Sequence, residues 1–111
     1  MLTFRDFTDG SSNVIAIGEK RLGRPLGTYM GDDNEGYSDG WDWDSIRQSN
    51  LQPAFDPLTS ANPDARFGST HVATFNAVFC DGSVRNISYN IDGNLFNALG
   101  RRNDGQTVSA P

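Results

Sequence analysis

The 111-residue sequence predicts one α+β domain, mainly β: a small antiparallel sheet, a C-terminal β-hairpin followed by a short helix, and a long irregular loop. Three observations carry this. The β-branched run Val14–Glu19 is bounded by turn formers, two alternating apolar runs flank Asp81-Gly82, and an amphipathic stretch follows a capping residue at Asp92. A chain of this length can bury one core but not two. With 36% apolar residues and 12 glycines that core is small, but seven Phe, three Tyr and two Trp supply large side chains to fill it.

Taken in order, Phe4–Asn13 ends in Asp, Gly, Ser and Asn, which favour turns because they tolerate positive φ or bond their own backbone. Val14–Glu19 then reads as a strand buried on at least one face, and a weaker strand is expected near Leu26–Met30. Residues 31–68 form a long Asp/Gly/Pro-rich loop, in which Pro53, Pro57 and Pro63 limit any regular element. Loops this long need a reason to stay ordered, so Trp41, Trp43, Ile46, Leu51, Phe55 and Leu58 are expected to tether it.

Asp81-Gly82 suits a two-residue type I′ turn, which would pair Cys80 with Ser83 and Phe79 with Val84. Phe75, Ala77, Phe79 and Val84 would then share the core face, with Arg85 pointing away. Asp92 caps a two-turn helix with Leu95, Phe96, Ala98 and Leu99 as its apolar stripe, Ile91 and Phe96 as a hydrophobic staple, and Gly100 as its C′ stop. The polar tail 101–111 is expected to fray.

The net charge is −5, and Asp32, Asp33, Glu35, Asp39, Asp42 and Asp44 lie in one stretch without Lys or Arg. Nucleic acid and anionic membrane surfaces are poor partners for such a chain, and the short basic runs at Lys20, Arg21, Arg24 and at Arg101, Arg102 lack interleaved aromatics. A single cysteine, Cys80, excludes an intramolecular disulfide and a cysteine-based zinc cluster. No stretch approaches a membrane span or a signal peptide, so the sequence as it stands reads as soluble and without an export signal.

No reaction centre emerges, and no residue is assigned a catalytic role. His71 and Asp81 are separated by a strand far longer than hydrogen-bond reach, so His71 is expected to fix the loop before the hairpin through buried backbone groups, and Asp81 and Gly82 to build the turn. Gly36-Tyr37-Ser38-Asp39-Gly40 matches a nucleophile elbow in letters only, because acids flank it where an apolar strand is needed. The acidic loop could hold calcium, a hard cation that takes oxygen ligands, through Asp32, Asp33, Asn34, Glu35, Asp39, Asp42 and Asp44. The EF-hand spacing fails, however, with Gly36 at the third ligand slot and Trp43 at the twelfth. Trp41 and Trp43 are candidate contacts for a sugar, a peptide or a partner. Cys80 has no basic neighbour in sequence and reads as an inert thiol, and the Asn86-Ile87-Ser88 sequon falls inside a strand.

His71 and Asp81-Gly82 stand in an H-x9-D-G arrangement within Phe67–Arg85. This closely resembles the C-terminal signature of bacterial prepilin-type, processing-associated proteins, a domain of unknown function (1559) also grouped with extracellular solute-binding proteins (SBP_bac_10). Thr8–Glu19 resembles the other recurring segment of that family, and Gly40-Trp41-Asp42 and Arg102-Asn103-Asp104-Gly105 sit where similar residues are familiar. Val72-Ala73 depart from the usual paired glycines, and Asn86 stands where an aromatic is usual.

The resemblance implies an extracytoplasmic pilin-like or pseudopilin-type globular head in the periplasm or at the cell surface, non-enzymatic, with other pilin-like subunits or secretion and cell-surface assembly proteins as partners. Full-length relatives are anchored by an N-terminal apolar helix, which this sequence does not contain, so it is read as the head alone. Calcium in the loops of secretion pseudopilins adds an analogy for the acidic loop. The alternative reading is an extracellular binding module for a small solute or carbohydrate.

Overall fold

The computed structural model describes residues 3–23, 36, 40–57, 64–106 and 108–111. The strand expected at Leu26–Met30 lies outside the described residues. Two short 3-10 turns, Phe4–Asp6 and Ser11–Asn13, lead into β1 (Ile15–Gly18). After it come β2 (Ala54–Phe55), β3 (Gly68–Ser69), β4 (Thr74–Phe79), β5 (Val84–Ser88) and α1 (Gly93–Leu99).

The main sheet has the order β1-β4-β5 and is antiparallel throughout. Alternation along β4 buries Phe75, Ala77 and Phe79 on one side, and with Ile87, Phe96 and Leu99 they form the core. Three rings lock its centre. Phe67 stacks on Phe75 at 5.6 Å between centroids, and Phe96 meets both edge-on at 5.7 and 6.0 Å. Full burial of a phenylalanine side chain stabilises the fold by about 1.5–3 kcal/mol.

The hairpin differs from the expected one by a single residue. Val78 pairs with Val84, and the Phe79 N–H donates to the Ser83 carbonyl, so the loop is the three residues Cys80-Asp81-Gly82. Gly82 has φ +85°, and among the described residues, Asp81 included, no non-glycine has positive φ, which excludes a type I′ turn at Asp81. The Gly82 N–H instead closes a turn onto the Phe79 carbonyl, and the glycine takes the left-handed position that follows it in three-residue loops. A one-residue shift exchanges faces, so Ile87 joins the core, Val84 is exposed, and Arg85 lies over the Phe79 ring at 4.3 Å.

The Asp92 carboxylate caps α1 by accepting from the N–H groups of Asn94 (3.0 Å) and Leu95 (2.9 Å). The helix ends at Gly100, but with φ −86° rather than the left-handed value expected of a C′ stop. Glycine is required there for a different reason: a Cβ would collide with the Ser49 side chain.

The described part of residues 31–68 is less irregular than its composition suggests. Within them β2 pairs in parallel with β3, and Lys20 bridges to Phe67. The expected tryptophan tethers fail, since Trp41 is 94% and Trp43 53% exposed, while Leu58 lies outside the described residues. Phe67, the buried Pro53 and a set of polar groups do the tethering. The Gln52 amide donates to the carbonyls of Tyr89 and Ile91, the Arg21 Nε to that of Phe55, and the buried Asp56 accepts from the Leu22 N–H at 2.9 Å.

The tail 101–111 does not fray in its described part. The buried carboxylate of Asp9 accepts from the N–H groups of Asp104 (2.8 Å) and Gly105 (3.1 Å), and the Arg102 guanidinium donates to the Asp6 carbonyl. Val108 and Ala110 pack against the core.

Candidate functional site

The face of the sheet turned away from the core carries two adjoining rows of side chains. One row is apolar: Ile17 pairs with Val78 and Val78 with Val84, and Ile17 and Val84 are 68% and 67% exposed. The other is polar. Asn76 pairs with Asn86, whose side-chain amide donates to the Asn76 Oδ1, and Glu19 and His71 close the row at its β1 side.

His71 occupies a different environment from the one expected. Its Nε2 lies 3.4 Å from Glu19 Oε1 and 3.4 Å from the Asn76 side-chain nitrogen, with the imidazole more than half exposed. Glu19 is itself held, because its Oε2 accepts from the Asn76 N–H at 2.7 Å. The His71 backbone, not its ring, secures the loop: its N–H donates to Ser69 Oγ (3.0 Å), and its carbonyl accepts from the Tyr89 hydroxyl (3.0 Å). Sequence reasoning set His71 against Asp81 and missed Glu19. Val14–Glu19 was legible as a strand, but only the β1–β4 register places its last residue beside His71.

Asp81 stands at the opposite end of β4, among partners of its own. Its Oδ1 accepts from the Ser83 N–H (2.8 Å) and the Ser83 hydroxyl (2.7 Å), and Arg85 approaches its other oxygen at 3.6 Å. Those bonds from Ser83 hold the Asp81 carboxyl below its ordinary range. Burial, and then the charge of Asp81, push the neighbouring Cys80 thiol up.

Of the residues considered for calcium, Asp32, Asp33, Asn34, Glu35 and Asp39 lie outside the described residues, as do Tyr37 and Ser38 of the serine-centred pentapeptide. Asp42 Oδ1 accepts from the Asp44 N–H, and the Asp44 carbonyl accepts from Lys20 Nζ. Among the described residues no three His, Cys, Asp or Glu side chains gather in a form that could hold a metal ion. Trp41 and Trp43 line an open hollow of about 270 Å³ together with Asp42, Ile46 and Gln48.

No curated protein and no solved structure matches the chain. A family model matches residues 1–94, which takes in the sheet, the hairpin and the start of α1, and on that match the chain belongs to the SBP_bac_10 family, "Protein of unknown function (DUF1559)".

Proposed function

We propose that this domain is the non-enzymatic, extracytoplasmic contact head of a pilin-like or pseudopilin-type protein, docking other subunits or secretion and cell-surface assembly proteins through the outer face of its sheet. The apolar row Ile17–Val78–Val84 carries the reading. Three aliphatic side chains in cross-strand register form a flat strip with neither charge nor depth, suited to a protein surface rather than to a small molecule. The H-x9-D-G resemblance supports the choice of partner class.

A photo-crosslinking residue in place of Val84, used in cells that produce the full-length protein, tests this. The expected product joins the head to an envelope protein or to a second copy, and Ile17→Asp abolishes it. Crosslinks confined to cytoplasmic proteins would sink the proposal.

A second reading, an extracellular small-solute or carbohydrate binding module, is favoured by one observation: the exposed Trp41 and Trp43 flank the same hollow. Stabilisation by a sugar in a thermal-shift screen, lost in Trp41→Ala, would select it instead.

A further inference from the structure

The free edge of β1 is a second surface, distinct from the sheet face. Cys80 N–H donates to the Val14 carbonyl and Glu19 N–H to the Asn76 carbonyl, which marks the hydrogen-bonded pairs at the two ends of the β1–β4 ladder. Between them Ile15 faces Phe79 and Gly18 faces Ala77, with Ala16 as the extra residue of a bulge. In an antiparallel ladder the pairs between the bonded ones aim their N–H and C=O groups outward, so Ile15 and Gly18 present a donor and an acceptor each on the side away from β4. β1 is a terminal strand of the sheet, and no described residue bonds that side of it.

Proteins usually cover or blunt such an edge. Here it lines a groove. One hollow of about 310 Å³ runs from Ile15 to Gly18 under Ser45–Arg47, and another of about 710 Å³ continues past Ile15, Ala16 and Gly100 towards Trp41 and residues 101–104. Among the described residues its walls carry Arg47, Arg101 and Arg102 against the carboxylate of Asp104, although the chain is acidic overall; Arg47 and Arg102 already donate to the carbonyls of Asp64 and Asp6.

We propose that this groove is a strand-addition site that accepts an extended, acidic peptide segment of a partner protein. The partner's main chain bonds Ile15 and Gly18, and its carboxylates meet Arg101 at the wall. The bulge at Ala16 widens the spacing between the two bonding positions, so the incoming segment must match a bulged edge, which selects against indiscriminate pairing.

The test uses the 111-residue chain, isotope-labelled, and a short acetylated peptide of alternating valine and threonine flanked by glutamates. Binding is expected to slow amide hydrogen exchange at Ile15 and Gly18. Arg101→Glu is expected to weaken it by about tenfold, as reversal of a charge at a binding rim can do, and a lysine-flanked peptide should not bind. Ile15→Pro, which removes one outward donor without touching a β1–β4 bond, should abolish binding. Should that variant fail to fold, a peptide N-methylated at alternate amides serves instead and must not bind. The proposal is overturned if exchange at Ile15 and Gly18 does not change, or if N-methylation or the lysine peptide leaves binding intact. Protection of the same amides by self-association, without peptide, would assign the edge to a second copy and overturn it equally. None of these results depends on crosslinking through Val84.

Discussion

A carboxylate beside a tight turn is tuned by the N–H and O–H groups that the turn aims at it. At Asp81 both come from Ser83, and they favour the ionised form. The folded pKa therefore lies below the ordinary 3.8, so the turn is at full strength above that pH and weakens as pH falls through the lowered value. Ser83→Ala should move the Asp81 carboxyl back towards its ordinary range in a carbon-detected NMR titration, and an unchanged midpoint would refute the assignment. The same charge that Ser83 stabilises opposes a thiolate at Cys80. The Asp-Gly turn was legible because glycine is the residue that takes positive φ at no steric cost. The partner of His71 was not legible, because Glu19 lies far away in sequence and reaches the imidazole only through strand register.

Elements of this size are decided by their ends. The type and position of β1, the hairpin strands and α1 could be read from alternation and capping, whereas the hairpin loop was misjudged by one residue because Asp-Gly suits both a two-residue loop and the last two positions of a three-residue one. That residue mattered: it moved Ile87 into the core and Val84 out of it. α1 has only two turns and relies on its cap, so Asp92→Ala should cost about 1 kcal/mol in denaturant unfolding. A loss within error would mean that packing of Phe96 and Leu99 alone holds the helix. The β2–β3 pair could not be foreseen, since two-residue strands carry no periodicity and their pairing is set by backbone bonds from Ala54 and Asp56.

Across the whole molecule, the core was predicted from Phe75, Ala77, Phe79, Phe96 and Leu99, and the closure around it was not. The tail is polar in composition, yet two backbone N–H groups find the buried carboxylate of Asp9. Hydrogen bonds to a charged group contribute about 1.5–3 kcal/mol. Asp9→Ala should therefore lower stability by a few kcal/mol at most and speed amide exchange at Asp104 and Gly105 before any change in β4; simultaneous loss of protection in both would show that the tail is no separate layer. The same contact has a topological consequence. Asp6, Asp9 and Asn13 meet Arg102, Asp104, Gly105 and Ala110, so the segment before β1 and the segment after α1 lie side by side. Each segment therefore shields the other's polar backbone from water, and loosening one leaves donors or acceptors of the other without their partners.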